Sequence, residues 1–297
     1  MGCVYSLAMF RIITIFYFLG SRGTYTRGTA IKPHLRILDG RDAVDGEYPY
    51  VVMLFRLTRK GQVKRFCTGS TLTQNWVLTA AHCMQELTPP NFGVWYANFT
   101  VPPYKTGQFT KVNKIFIHPS YRYNKFQGLL VYNDICMLLT DNIKSEKFGR
   151  LSSVDHLTMI GLPVTYVGGG RTDDPDGDRF RRLQVGEGGI ISCEQRSFTN
   201  TKYMICVTPK CDNRFHSPLN GDSGGPLLLA GNIIGVCSFA SFSRTMSEPV
   251  YAPVSPYIDW ILSLYNEGTT EETKTNISRR AFGIHVLLNF IACLVTI

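Results

Sequence analysis

The sequence predicts an all-β protein, and three observations carry that reading. Short runs of β-branched and aromatic residues recur through the middle of the chain, each bounded by turn residues. No amphipathic helix of the kind an alternating α/β sheet needs stands between them. A single helix signal appears, and it follows the last of the runs. These features leave a sandwich and closed barrels equally open.

In chain order the runs are Tyr50–Phe55, Trp76–Ala80, Val112–Ile117, Ile135–Leu139, Val164–Val167, Pro226–Leu229 and Ile233–Phe239. The helix is expected over Ser255–Leu262, because Pro256 follows Ser255 at a first-turn position. No internal repeat and no low-complexity block precede residue 267.

The two ends read differently. Met1–Gly20 is apolar apart from Arg11 and a few small polar residues, and Gly20, Ser21 and Gly23 follow. That is the pattern of a secretory signal peptide, assigned to residues 1–22. Residues 23–36 are basic and polar, contain Gly28 and Pro33, and read as a linker ending at Arg36-Ile37. An exposed basic residue before an apolar one is a processing signal. At the other end Glu267–Arg280 is polar and Ala281–Ile297 mostly apolar. Small residues at Gly268-Thr269-Thr270, a spacer and a terminal apolar segment match a GPI-attachment signal. The competing reading is a membrane-spanning helix, at the short limit of length and with no charged residues after it.

The net charge is +9. Residues 1–36 hold five basic and no acidic residues, and the charges from Glu267 onward cancel, which leaves +4 for residues 37–266. A small excess with no Lys/Arg run among aromatics argues against nucleic acid. Nine cysteines are many for a cytosolic enzyme and fit the secretory pathway. Cys3 and Cys293 fall in the apolar ends, so seven remain and at least one is free.

The chemistry concentrates at Asn220-Gly221-Asp222-Ser223-Gly224-Gly225-Pro226. A serine among glycines can be a nucleophile on a tight turn, with backbone N–H groups facing an oxyanion; the same residues also make an ordinary surface turn. A serine nucleophile needs a base and an orienting acid. Of six histidines, His82 follows a strand among small residues in Thr79-Ala80-Ala81-His82-Cys83, and Cys83 can pair with Cys67 to clamp its loop. Asp134 opens the apolar run Ile135–Leu139 and needs a partner if buried. Alone, each residue also has a purely structural reading. Chain order separates two folds. An α/β-hydrolase runs Ser, acid, His, whereas only His285 in the apolar tail follows Ser223 here.

The order His82, Asp134, Ser223, with Thr79–Cys83, Asn133-Asp134-Ile135 and Gly221–Pro226 around them, resembles the chymotrypsin/trypsin-like serine proteases over residues 37–266. The resemblance implies two antiparallel six-stranded β-barrels with a C-terminal helix. It implies Ser223 as nucleophile, His82 as base, Asp134 as orienting acid, and the Gly221 and Ser223 N–H groups as the oxyanion hole. Ser238 helps hold the acid, and Ser238-Phe239-Ala240 pairs with the substrate backbone. Cleavage after Arg36 frees an amino group on Ile37 for Asp222, so residues 23–36 are a propeptide and the chain a zymogen. Before cleavage Asp222 is expected to have no partner and the oxyanion hole to be unformed.

The resemblance also implies a disulfide between Cys193 and Cys206. Another family bridge has both ends replaced, near Val164 and at Leu229, and Cys136, Cys211 and Cys237 are left over. Where trypsins carry a pocket aspartate this chain has Ser217, which implies cleavage after apolar or aromatic residues. The cysteine that usually braces that pocket is Leu219. Pro218, Ala240 and Pro249 also depart from the family pattern there. No cofactor is implied. No Cys/His pair has zinc-finger spacing, and Asn98–Gln108, at the family's calcium loop, has no acid. Asn98-Phe99-Thr100 and Asn276-Ile277-Ser278 are glycosylation sequons.

The expected partners are protein or peptide substrates, an upstream activating protease, protein inhibitors, and a membrane reached through the tail. The location is extracellular, by secretion or at the cell surface. A non-catalytic homologue acting by binding is the alternative function.

Overall fold

Each predicted run is a strand, and among the described residues five further strands complete two rings, with three short strands outside them at Arg41–Asp42, Arg122–Asn124 and Leu130–Tyr132. The structure, a computed structural model, describes residues 37, 40–89, 91–124, 130–145, 147–170, 180–193, 203–210, 217–242 and 247–265. The expected signal peptide, most of the propeptide boundary including Arg36, Cys211, Asn276 and the tail from residue 266 lie outside the described residues.

Six strands form the first barrel: β1 (Val51–Leu57), β2 (Val63–Thr71), β3 (Trp76–Thr79), β4 (Gly93–Trp95), β5 (Phe109–Ile117) and β6 (Cys136–Thr140). They pair antiparallel in the order β1-β2-β3-β6-β5-β4, and β4 returns to β1 to close the ring. The second set is β7 (Pro163–Gly168), β8 (Gln184–Ile191), β9 (Ile205–Pro209), β10 (Pro226–Leu229), β11 (Asn232–Phe242) and β12 (Ser247–Pro253). These pair as β7-β8-β9-β12-β11-β10, and β10 returns to β7. The two rings share one strand order, a repeat of topology that the sequence does not display.

Closing a ring this small demands bent strands, and bulges supply the bends. Phe66, Asn113, Ile234 and Ser238 are each the extra residue at a register shift. On the strands of the first barrel Met53, Leu54, Leu78, Trp95, Met137 and Leu138 are all under 2% exposed. Each such burial contributes about 1.5–3 kcal/mol. A second apolar cluster, with Val164, Tyr166, Val207, Leu227, Cys237 and Tyr251, fills the second barrel. Leu229 packs against that cluster beside Val164, so the two positions that replace a family bridge share an apolar contact region instead.

The predicted helix is present one turn later than expected. Ser255–Tyr257 is a 3₁₀ turn, and residues 258–265 are α-helical. Ile261 and Leu264 belong to the cluster that includes the first barrel, and the Tyr265 ring lies tilted against Trp76 with centroids 5.7 Å apart. The chain leaves the second barrel and is strapped onto the first. Among the described residues no helix is long and apolar enough to cross a membrane.

Candidate active site

Strand register explains why His82 and Asp134 meet. In the β3–β6 pair Thr79 lies opposite Cys136. His82 comes three residues after Thr79 and Asp134 two before Cys136, so both emerge at the same end of the pair. His82 sits in the 3₁₀ turn Ala81–Met84, where Ala80 and Ala81 are fully buried and leave room for the ring. The Cys67–Cys83 disulfide ties this turn to β2, as the sequence suggested. A closed loop of that size contributes about 3 kcal/mol in the chain-entropy account.

Asp134 is 1% exposed and fully engaged. Its Oδ1 accepts from the His82 backbone N–H at 2.8 Å, and its Oδ2 accepts from His82 Nδ1 at 2.7 Å. Ser238 Oγ donates to the same Oδ2. With Nδ1 bound to the carboxylate, Nε2 is left as the basic nitrogen. Ser238 reaches the acid because it is the bulged residue between Cys237 and Phe239, a bulge that re-aims its side chain. Burial by itself would lower the His82 pKa; the Asp134 charge and hydrogen bond outweigh it and hold the pKa above its ordinary value. Burial would likewise raise Asp134, but the His82 charge and the hydrogen bonds from His82 and Ser238 keep it low.

Asn133 delivers this carboxylate. It takes a left-handed φ of 52°, which asparagine tolerates better than most residues. Its Nδ2 donates to the Ser120 carbonyl at 2.7 Å, and its Oδ1 accepts from Tyr257 Oη at 2.8 Å. The C-terminal turn thus braces the approach to Asp134.

Ser223 is half-buried on the turn before β10. The turn is pinned by Gly224 N–H to the Cys237 carbonyl at 2.7 Å and by Cys237 N–H to the Gly225 carbonyl at 2.8 Å. The Ser223 carbonyl and His82 Nε2 each lie 3.8 Å from Cys83 Sγ. Among the described residues no hydrogen bond joins Ser223 Oγ to the ring, a contact that in free enzymes is often long. Gly221 has φ +101°, the value that the third residue of a type II turn requires, with Asp222 N–H closing that turn on the Leu219 carbonyl at 3.0 Å. A Cβ on Gly224 would lie 2.2 Å from both the Thr68 carbonyl and Thr79 Oγ1, so no other residue fits. Among the described residues the N–H groups of Asp222, Gly224 and Gly225 all donate within the protein, whereas those of Gly221 and Ser223 do not. Two undonated N–H groups on one turn can receive an oxyanion.

Asp222 is 2% exposed, and its carboxylate accepts from Gly170 N–H at 2.7 Å and Leu219 N–H at 2.8 Å. The acid is hydrogen-bonded in the intact chain, so the expectation of an unpartnered carboxylate before cleavage does not hold. A Cβ on Gly168 or Gly170 would strike this carboxylate at 2.1 or 2.6 Å. The glycine run after Val164–Val167 is therefore part of the site; in the sequence it looks only like a strand end. Ile37 is 1% exposed among the second-barrel residues Tyr166, Cys237 and Tyr251.

Ser217 is buried, Phe239 is half-buried, and Ser238, Phe239 and Ala240 follow one another in β11. Cys193 and Cys206 are bonded as the resemblance implied. Cys136 and Cys237 are free and buried, and burial pushes both thiols up, which keeps them protonated and inert. Cys67, Cys83 and His82 cluster closely, but the two sulfurs are bonded to each other and offer no thiolate to a metal. Asn98 is exposed, with Oδ1 accepting from Thr100 N–H at 2.8 Å and Thr100 Oγ1 at 2.6 Å.

The chain is similar to several known proteins. Chymotrypsin-C of Bos taurus is 29% identical over 269 residues, covering 84% of this chain and 97% of that protein. Trypsin Tyr p 3.0101 of Tyrophagus putrescentiae is 29% identical over 257 residues, covering 79% and 82%. The fold resembles that of neuropsin, a serine protease expressed in mouse brain, with a TM-score of 0.61 at 22% identity over 77% of this chain and 99% of that one. The trypsin family model matches residues 37–261, which takes in both barrels and every residue of the site, and the chain belongs to that family.

Proposed function

We propose that the protein is a serine endopeptidase made as a zymogen, in which Ser223, His82 and Asp134 cleave peptide bonds. The observation that carries the reading is the fully satisfied Asp134, bonded to His82 and Ser238, beside a turn with two undonated N–H groups. Ser223 Oγ attacks the scissile carbonyl while His82 Nε2 takes its proton. Asp134 stabilises the imidazolium that forms and keeps the ring in the right tautomer. The Gly221 and Ser223 N–H groups receive the oxyanion. His82 then returns the proton to the leaving amine, and water hydrolyses the acyl-enzyme by the same route. A fluorophosphonate tests this: the chain cleaved after Arg36 should be labelled on Ser223. No label on the cleaved, folded chain would leave the non-catalytic homologue.

The preference for apolar or aromatic residues before the scissile bond rests on Ser217, which brings no charge to the pocket. The named relatives include both a chymotrypsin and a trypsin, so they do not decide it. An uncharged pocket should cut poorly after Arg36, which makes the activator a separate, trypsin-like protease. Cleavage would add the Ile37 ammonium to the pocket already holding Asp222. Purified intact chain is expected to stay uncut on incubation and to yield an Ile37 N-terminus when trypsin is added. Rapid self-cleavage at Arg36, with contaminating protease excluded, would overturn this.

Residues 1–22 serve as the signal peptide and 23–36 as the propeptide in this reading. Asn98 carries a glycan, and the tail from 267 directs GPI attachment. A phosphatidylinositol-specific phospholipase should then release the protein from cells that express it. Retention on the membrane would leave a spanning helix.

A further inference from the structure

We propose that the Thr68 hydroxyl is a positioning group for the oxyanion site. This rests on the endopeptidase reading above. Thr68 is on β2, remote in sequence from the Ser223 turn, and is fully buried. It holds the carbonyls of both residues that supply the oxyanion donors. Its Oγ1 donates to the Gly221 carbonyl at 2.8 Å, and its backbone N–H donates to the Ser223 carbonyl at 2.8 Å. The same Oγ1 accepts from Gly169 N–H at 3.3 Å. Gly169 adjoins Gly170, whose N–H holds Asp222. One hydroxyl thus bridges the glycine segment that carries Asp222 to the turn that carries the donors.

A hydroxyl has a single hydrogen to donate. Met53 Sδ at 4.0 Å is a far weaker acceptor than the Gly221 carbonyl, so the proton goes to the carbonyl. Thr68 is itself held in place. Its carbonyl accepts from Thr79 Oγ1 at 2.8 Å, one turn before His82, and the adjacent Cys67 is tied to Cys83. The clasp therefore connects the strand end bearing His82, the Asp222 pocket and the oxyanion turn.

The two flanking carbonyls matter because Gly221 is the most freely rotating residue of the turn. Its left-handed conformation decides where its N–H points. Anchoring the Gly221 carbonyl fixes the peptide plane on one side of Ser223 N–H, and anchoring the Ser223 carbonyl fixes the plane on the other. Without the hydroxyl, Gly221 can trade its conformation for one that points its N–H away from the oxyanion, and two buried backbone groups lose their partner.

The test compares Thr68→Ser, Thr68→Ala and Thr68→Val with the parent, each cleaved after Arg36 and checked for folding by thermal melt. Ser and Ala both lack the methyl, so their difference isolates the hydroxyl; Val keeps the shape and removes it. If Val does not fold, the Ser/Ala pair carries the comparison. The readouts are kcat and KM on a peptide substrate and the inhibition constant of a peptide boronate, which mimics the tetrahedral adduct. Thr68→Ala and Thr68→Val are expected to lose about 10- to 100-fold in kcat and a similar factor in boronate affinity, with KM within about threefold. Thr68→Ser should retain most of the parent rate. Equal kinetics for Ser and Ala, or a loss confined to KM or to the melting temperature, would overturn the inference alone. A parent chain that takes no fluorophosphonate would overturn the endopeptidase reading and this inference together.

Discussion

Replacing Ser223 by alanine is expected to lower kcat on a peptide substrate by about 10⁶-fold, with KM nearly unchanged. In the proposed mechanism the side chain supplies the attacking oxygen, and alanine has no oxygen to take its place. What remains is the pair of N–H donors and the substrate contacts, which by themselves give a residual acceleration of about 10³–10⁴ over water. Folding should be untouched. Among the described residues Ser223 is tied in through its backbone carbonyl, which accepts from Thr68 N–H, and alanine keeps that carbonyl. The thermal midpoint of the variant is the control. A variant that keeps more than about a tenth of the parent rate at an unchanged midpoint would remove Ser223 from the mechanism.

The second large effect belongs to Asp134. Asp134→Asn preserves shape but removes the charge and offers the His82 Nδ1 a donor where it had an acceptor. A fall in kcat of about 10⁴-fold is expected, the size seen for the corresponding change in chymotrypsin-like proteases. The pH profile gives an independent check. In the parent, burial lowers the His82 pKa, and the Asp134 charge and hydrogen bond raise it further than burial lowers it. The base form therefore appears only above an elevated pKa, and kcat/KM should fall on the acid side with a midpoint above the ordinary histidine value of about 6.5. With the charge gone, burial acts alone. The acid limb of the Asn variant should then move below that value even as the plateau collapses. An acid limb that stays in place would show that Asp134 does not set the His82 pKa.

Several parts of this site are legible in the sequence because they rest on local chemistry. The β-branched and aromatic residues of Val112–Ile117 or Val164–Val167 need no partner to be read as strands. His82, Asp134 and Ser223 stand out because each sits in a motif whose neighbours are chosen for it: alanines that clear the ring, an apolar strand that buries the acid, glycines that leave the serine open. Strands such as Gly93–Trp95 and Gln184–Ile191 are harder to see. The first is only three residues long, and the second contains three glycines. Their strand character comes from closure of the rings rather than from propensity.

The sequence by itself determined the all-β class, the chain order of His82, Asp134 and Ser223, the Cys67–Cys83 clamp and the uncharged Ser217. Only the tertiary structure decided how distant segments share atoms. Thr68 reads as one threonine in a strand, and Gly168-Gly169-Gly170 as the end of another. They join the site because barrel closure brings β2 and the end of β7 against the Ser223 turn. Ser238 reaches Asp134 because a bulge turns it there. Asp222 accepts from Gly170 N–H, 52 positions away, because the end of β7 is brought against its turn. Hydrogen bonds between residues 52 to 153 positions apart are set by strand register and bulge placement, which depend on all twelve strands at once.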